Sequence, residues 1–455
     1  MREEHGKQRQ NGTLREDRLK ERGIYMNVLI ILTWPRKDRS YRSRLSSFLS
    51  YAPTTLGLLA AIVKKERPEW VTDTVDEMSE TVSYDRKNYD IVMISSTTAS
   101  VKRGYEIAQE FRKRRSHVVM GGYHVRYNHE EALKYADTVI VGPGEYALAD
   151  FIRDYEAGEP KRVYSCLHVN GEDIPAPDRS AIKVKHYLKV PAVTANNGCF
   201  NHCAYCTISE MWRDSTPRPV SNVIEEIKNL KTRMIIFYDP NFFGNREYSI
   251  ELMKELKKLK LRWAGSAVIN VGFDEELLTL AEQSGCTGLL FGLESMNKKT
   301  LDDSKKPFND PLCYRQAIEN IKRHRIMANG CFILGMDGDT EEDLLSLPGQ
   351  VAYLKLDLAR FAVLTPVPGS DLYKKLEKKG RITDTDWDHY TQHKVVFRPV
   401  GMSGERLEEI YRYVWKETYR MGNIIKRVRN VPGGGLLPML VCFTSNIGFK
   451  YLGIE

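Results

Sequence analysis

The chain has 455 residues and a formal net charge of +8, from 68 basic and 60 acidic residues. Over this length that bias is too mild to indicate nucleic acid as a partner, while an anionic substrate or a membrane surface stays open. An apolar fraction of 42% suits two or three domains with their own cores, and eight scattered cysteines exclude a dense secreted disulfide framework, so a reducing cytoplasm is expected.

Residues 1–25 are about half charged and carry no apolar stretch. They lack the apolar centre of a signal peptide, and their composition favours disorder. Met26 then opens an apolar run, "MNVLIILTWP", and is the expected initiator, with the preceding segment a misassigned start. From there strand and helix signals alternate. The expected strands are "NVLIIL", "WVTDTVD", "DIVMIS", "HVVMGG" and "DTVIVG". Between them lie "APTTLGLLAAIVKKE", "SVKRGYEIAQEFRKRR" and "HEEALKYA", with "GEYALADFIRDYE" closing the series. Apolar strands separated by amphipathic helices predict a doubly wound α/β domain over residues 26–157. Its ligand is expected beyond the carboxyl ends of the strands, where Gly121, Gly122, Gly142 and Gly144 fall.

Residues 158–189, with the prolines of "GEDIPAPDRS", predict an extended linker. Strand and helix signals then resume over residues 190–370, from "AVTANNG" through "MIIFYDP", "RWAGSAVI", "GLLFGLES" and "ANGCFILG" to "LARFAVLTPVP". About six βα units in series predict a (β/α)6 partial TIM-type barrel, with its chemistry at the carboxyl ends of the strands. Residues 371–455 form a charged, helical C-terminal extension. Its apolar stretch "GGGLLPMLVCFTSNIGFKYLG" is interrupted by Pro438, Ser445, Asn446 and Lys450, which argues against a membrane span. Packing of this tail onto the barrel is expected. The basic "IIKRVRN" just before it is compatible with peripheral contact to anionic lipid.

The densest chemistry is "NNGCFNHCAYC", which places Cys199, Cys203 and Cys206 in a Cys-x3-Cys-x2-Cys loop after the first barrel strand. Thiolates are the natural ligands of iron–sulfur clusters, and three of them leave one iron of a 4Fe–4S cluster open. A zinc knuckle with His202 or a distant residue as fourth ligand is the competing reading, but the second ligand pair it needs is missing from the sequence. Cys286, Cys313, Cys331 and Cys442 show no ligand spacing and are expected as core or partly buried thiols.

The motif, with Tyr205 at its aromatic position, resembles the signature of the radical S-adenosylmethionine (SAM) enzymes. A doubly wound domain placed first is similar to their cobalamin-binding subfamily. So are "VMGGYHVRYNHEEALKYADTVIVGPGEYAL", "PAPDRS", "FYDPNFFGN", "FGLES", "GCFILGMDGDTEED" and "LTPVPGSDLYKKLEKKGRITDTDWDHY". The resemblance spans about Met26 to Arg429, and the C-terminal part looks most like the branch holding hopanoid-lipid methylases and tetrapyrrole cyclases.

This resemblance implies a 4Fe–4S cluster on Cys199, Cys203 and Cys206, with SAM on the open iron and an electron donor such as flavodoxin or ferredoxin. It implies reductive cleavage of SAM to a deoxyadenosyl radical that abstracts hydrogen from an unactivated carbon. Glu294 matches the family's ribose-contacting carboxylate. Asp239 and Asn241 occupy the strand end where the family binds the methionine moiety, and Gly330 and Gly335 fit close approach to adenine. Cobalamin is implied for the first domain, with Gly121 and Gly122 approaching its nucleotide tail. The cobalt-ligating Asp-x-His-x2-Gly motif is missing from the sequence, and His124 lacks those neighbours. Lys305 and Lys306 are expected as a solvated surface run.

The expected activity is cobalamin-dependent C-methylation of a small molecule or lipid. A radical SAM cyclase, or another carbon–carbon bond-forming enzyme without methyl transfer, is the alternative. An iron–sulfur electron carrier is the third, and it leaves "FGLES" and "GCFILG" without a use.

Overall fold

The structure, a computed structural model, describes residues 25–35, 50–212 and 215–452. The segment expected to be a disordered start thus lies outside the described residues, Tyr25 excepted. The described chain divides into two compact units. One comprises residues 25–35, 53–169 and 173–183, the other residues 50–52, 170–172 and 184–452.

The first unit is built from β1 (Asn27–Leu32), α1 (Thr55–Glu66), β2 (Val71–Asp76), β3 (Ile91–Ser95) and α2 (Val101–Lys113). It continues with β4 (His117–Gly121), α3 (Tyr123–Tyr127), α4 (His129–Ala132), β5 (Thr138–Val141), α5 (Gly144–Glu156) and β6 (Val163–Ser165). All six strands are parallel, in the order β2-β1-β3-β4-β5-β6. The central strands are buried along almost their whole length, as a sheet covered on both faces requires. Helix α2 covers it with Val101, Tyr105, Ala108 and Phe111, one stripe at helical spacing. The chain order reverses between β1 and β3, which opens a crevice at their carboxyl ends.

Strand β6 corrects one expectation. It lies inside the stretch read as linker and pairs with β5 from Val139↔Val163 to Val141↔Ser165. Only Tyr164 of its three residues is buried, so no apolar run announces it.

The second unit opens with β7 (Ala192–Val193), β8 (Asn196–Asn197), α6 (Ile208–Trp212), β9 (Thr216–Pro217) and α7 (Val220–Asn229). Then come β10 (Met234–Phe237), α8 (Arg246–Leu259), β11 (Arg262–Ala267), α9 (Glu275–Gln283), β12 (Cys286–Glu294), α10 (Lys298–Asp303) and α11 (Pro311–Arg323). It ends with β13 (Met327–Leu334), α12 (Glu341–Tyr353), β14 (Leu358–Val363), α13 (Asp371–Lys378), α14 (Gly404–Thr418), α15 (Met421–Arg429) and α16 (Leu436–Leu452). Six parallel strands run in the order β7-β10-β11-β12-β13-β14, while β8 and β9 form a separate antiparallel pair. Among the described residues β7 and β14 do not pair with each other, so the barrel is partial.

Burial alternates along these strands. On β13, Ala328, Gly330, Phe332 and Leu334 are buried in the core, while Met327, Asn329, Cys331 and Ile333 on the opposite, lumen face are half-buried. The helices start where the sequence caps them. Asn245, Asp274, Asn297, Asp310, Thr340, Ser370 and Ser403 each accept a backbone N–H at the start of α8 to α14.

The C-terminal helices close the free edge of β14. The Tyr419 phenol donates to the Ala359 carbonyl at 2.5 Å and accepts its N–H at 3.2 Å. The Asn446 amide donates to the Asp357 carbonyl at 3.0 Å. Helix α16 buries Cys442 and Asn446 but leaves Leu436, Leu437, Leu440, Val441, Phe443 and Tyr451 exposed. The tail therefore packs on one side only. No helix among the described residues is long and apolar enough to cross a membrane.

Candidate active site

The three cysteines lie between β8 and α6, on a loop that leaves the carboxyl end of β7. Gly198, at φ +81°, turns the chain into it. The loop is tied by backbone bonds from Ala204 to Ser304 (3.0 Å), from Leu372 to Ala204 (2.7 Å) and from Cys206 to Cys203 (3.0 Å). All three thiols are half-buried. Burial pushes the Cys203 thiol up, and the Lys306 ammonium pulls it the other way. Among the described residues no group of three or more His, Cys, Asp or Glu side chains converges as ligands of one metal ion.

Glu294 faces this loop from the end of β12, held in an unusual way. Its backbone is left-handed, at φ +65°, and the pairing of β12 with β13 slips between Gly292 and Glu294. The slip lifts its carboxylate toward Lys306, whose ammonium donates to Oε1 at 2.9 Å. Lys306 also lies 3.5 Å from the Tyr205 hydroxyl. Burial, then Glu294, raise the Tyr205 phenol, so it stays a neutral hydroxyl. Gly292 makes room for the pair, since a Cβ there would overlap Glu294 Oε1 and lie 2.9 Å from Lys306 Nζ. Behind the strand end, Asn309 donates to the Gly292 carbonyl (2.8 Å) and Tyr314 to the Leu293 carbonyl (2.8 Å).

Lys306 corrects the sequence reading, which put it in a solvated run. It is 7% exposed, whereas Lys305 is on the surface with Asp371. Gly292, Asn309 and Tyr314 were also missed. Their roles depend on what β12 carries, not on any local pattern.

Asp239 lies at the end of β10, 1% exposed, with both oxygens engaged. They accept the backbone N–H groups of Ala195 (2.8 Å) and Asn196 (3.1 Å). Burial pushes this acid up to about 7. Arg218, buried in an ion pair with Glu226 (2.7 Å), donates to the Thr194 carbonyl (2.9 Å). Together they fix the backbone entering the cysteine loop, so Asp239 supports that loop instead of presenting a free carboxylate. Asn241 spends its carbonyl oxygen on the Val268 N–H (3.3 Å).

The two barrel glycines meet protein where the sequence reading expected adenine. A Cβ on Gly330 would lie 2.7 Å from Leu356 and 3.0 Å from Leu293, inside the core. Gly335 needs its φ of +98°, and a Cβ there would strike Leu407 of α14. Gly330 permits close packing within the barrel core, and Gly335 permits close packing of α14 on the barrel.

In the first unit, Gly122 turns the chain out of β4 at φ +104°. A Cβ on it would lie 2.9 Å from the Ser96 nitrogen, whereas one on Gly121 would make ordinary contact with Ile140. Gly122 therefore serves a turn and close backbone packing. His124 is fully enclosed, and burial lowers its pKa to about 4, so it is a neutral interior imidazole.

The residues nonetheless fit the implied groups. Three thiols on one tied loop are the donor set of an iron–sulfur cluster with one open iron. In the first unit, Thr33 at the end of β1 bonds Ser96 (2.9 Å) and Ser100 (2.8 Å) beyond β3, which builds one wall of the crevice. Glu145, at the start of α5, is 6% exposed, and its Oε1 has no hydrogen-bond partner among the described residues. Burial pushes it up to about 7, which suits it to share a proton with the amide-rich rim of a corrinoid.

A model of the radical SAM superfamily matches residues 193–347, and a model of the B12 binding domain matches residues 59–152. The chain is 27% identical over 392 residues to the bacteriochlorophyllide d C-12(1)-methyltransferase of Chlorobaculum tepidum, covering 84% of this chain and 85% of that protein. It is 25% identical over 413 residues to the anaerobic magnesium-protoporphyrin IX monomethyl ester cyclase of Cereibacter sphaeroides, covering 79% of this chain and 66% of that protein. The fold matches the radical SAM methyltransferase TsrM of Kitasatospora setae, solved with cobalamin and a [4Fe-4S] cluster, at a TM-score of 0.70 and 14% identity, over 94% of this chain and 98% of that one.

Proposed function

The chain is a radical SAM protein with a B12-binding domain ahead of its partial barrel, and we propose that it is a cobalamin-dependent methyltransferase acting on an unactivated carbon of a tetrapyrrole. The observation that carries the reading is the pairing of the three-thiol loop with the buried Lys306–Glu294 pair, in a chain that also has the corrinoid-type unit. The similarity to the bacteriochlorophyllide methyltransferase, over most of both chains, supports the substrate class.

In this reading Cys199, Cys203 and Cys206 would hold the 4Fe–4S cluster, and the first unit would hold cobalamin at the β1/β3 crevice. When bound, these groups and SAM supply one-electron chemistry at carbon and the methyl group to be transferred. The protein's part is placement. Lys306 holds the Glu294 carboxylate, which would contact the ribose of SAM, and Tyr205 keeps its proton beside them. Asp239 and Arg218 fix the backbone that enters the cysteine loop. The barrel wall keeps water from reactive carbon.

Electrons come from a flavodoxin- or ferredoxin-type donor in the cytoplasm, a compartment that suits eight free cysteines. The exposed apolar face of α16, close in sequence to Lys426 and Arg429, makes peripheral contact with an anionic membrane surface. A cyclase is the second reading, favoured by the 25% identity to the protoporphyrin ester cyclase.

The test is anaerobic reconstitution with iron, sulfide, cobalamin and SAM, with dithionite as the electron source. Deoxyadenosine should form and disappear in Cys203→Ala. Supplied with a tetrapyrrole acceptor and isotopically labelled SAM, the enzyme should label the product by one methyl group. SAM cleavage with no label in a ring-closed product would favour the cyclase. Deoxyadenosine formation retained in Cys203→Ala would overturn the site.

A further inference from the structure

Strand β14 contributes one cation to the barrel wall. Its register places Arg360 opposite Cys331 of β13, which in turn lies opposite Gly292 of β12. Gly292 is the residue that makes room for Glu294 and Lys306, so this row runs from the candidate active site to the last strand. Alternation sets Arg360 on the lumen side. Its neighbours Ala359 and Phe361 are buried in the helix-covered core, while Arg360 is exposed.

The two cations near Cys331 are used differently. Lys306 is engaged by Glu294. Arg360 makes no hydrogen bond or ion pair among the described residues, and its guanidinium stacks over the Phe449 ring at 5.0 Å. Stacking uses one face of the guanidinium and leaves its edge, with the N–H fork, free to meet a planar anion. The charge reaches across the lumen. Burial pushes the Cys331 thiol up to about 12, with Arg360 as the first opposing influence. The same guanidinium acts on the phenols of Tyr238, beyond β10, and Tyr51. Tyr238 is 40% exposed and sits edge-on to Tyr51, with ring centroids 6.3 Å apart. The opening between the last and first barrel strands is therefore lined by aromatic rings and one unpaired guanidinium.

We propose that Arg360 is a specificity-determining residue that binds a peripheral carboxylate of the substrate while the rings of Tyr238 and Tyr51 pack against its planar body. The assignment rests on the tetrapyrrole reading given above and narrows it to acids. A neutral polycyclic lipid would leave the fork without an anion, and esterifying the carboxylate would remove the bidentate partner.

The test uses the anaerobically reconstituted full chain with protoporphyrin IX and its dimethyl ester as probes, titrated by porphyrin fluorescence. The free diacid should bind more tightly than the diester. Arg360→Ala should weaken the diacid about tenfold or more, the scale of one charge-assisted bidentate contact, and leave the diester as it was. Arg360→Lys should recover part of the loss, since it restores charge without the fork. Iron content and circular dichroism report whether the variants are folded. Diacid binding unaffected by Arg360→Ala in a folded variant overturns the assignment of Arg360 and spares the tetrapyrrole reading. No binding of either porphyrin by the wild-type chain overturns both.

Discussion

The Lys306 ammonium lies 2.9 Å from the Glu294 carboxylate, and the two side chains are only 9% and 10% exposed. A pair so enclosed is costly to break from one side, because the survivor keeps its charge without a partner. Lys306→Met is therefore expected to destabilise the chain by about 3–5 kcal/mol in urea unfolding. The double variant Lys306→Met with Glu294→Gln should recover most of that loss, while SAM binding stays impaired in both. A double variant as unstable as the single one would show that the pair is not the source of the cost.

Gly292 allows the pair to exist. Gly292→Ala inserts a methyl group where Glu294 Oε1 lies and forces the carboxylate or the ammonium aside. The expected result is a SAM dissociation constant raised by about tenfold, at unchanged iron content, since no thiol moves. Equilibrium dialysis with labelled SAM and an iron assay measure the two quantities separately.

Asp239 acts earlier, on the approach to the cysteines. Asp239→Ala leaves the N–H groups of Ala195 and Asn196 without their acceptors, at about 1–3 kcal/mol for each buried donor. Iron and sulfide should be lost faster on dilution than from the wild-type protein, and Asp239→Asn should lie between the two.

Glu145 gives a pH dependence with a definite sign. Its folded pKa is raised from 4.5 to about 7 by burial. The folded chain therefore holds this proton more tightly than the unfolded chain. The stabilisation is complete below about pH 4.5 and is lost as pH rises through about 7. In cofactor-free protein, amide exchange in α5, corrected for intrinsic rates, should show greater protection at about pH 5 than at about pH 8. Glu145→Gln should abolish the difference.

Helix α16 offers a separate test. Leu437→Asp with Leu440→Asp changes exposed positions only. The wild-type chain should sediment with vesicles of mixed phosphatidylglycerol and phosphatidylcholine, and less so at high salt. The double variant should stay in the supernatant with unchanged SAM cleavage. Equal sedimentation of both would remove membrane contact from the functional reading.

The architecture was legible because burial leaves a periodic trace. Apolar runs such as Val28–Ile31 and the helical stripe from Val101 to Phe111 can be read without partners in view. The cysteine loop was legible because its ligands are neighbours in sequence. What escaped was decided at a distance. Lys306 looks like Lys305 until the chain turns it under Glu294. Gly330 and Gly335 were read against a cofactor, but the bodies that exclude a side chain there are Leu356 and Leu407. Arg360 carries no local mark, and only strand register sets it beside Cys331.

The capping of β14 has a further consequence. A partial barrel ends in a strand whose outer N–H and C=O groups are a template for another copy of the chain. Here Tyr419 occupies both groups of Ala359, Asn446 occupies the Asp357 carbonyl, and Val363 donates to the Gln392 carbonyl at 2.8 Å. The C-terminal helices thus act as a built-in guard against aggregation. A chain cut before Gly404 would keep every cysteine of the loop, yet should emerge from synthesis with a sticky edge and collect in inclusion bodies.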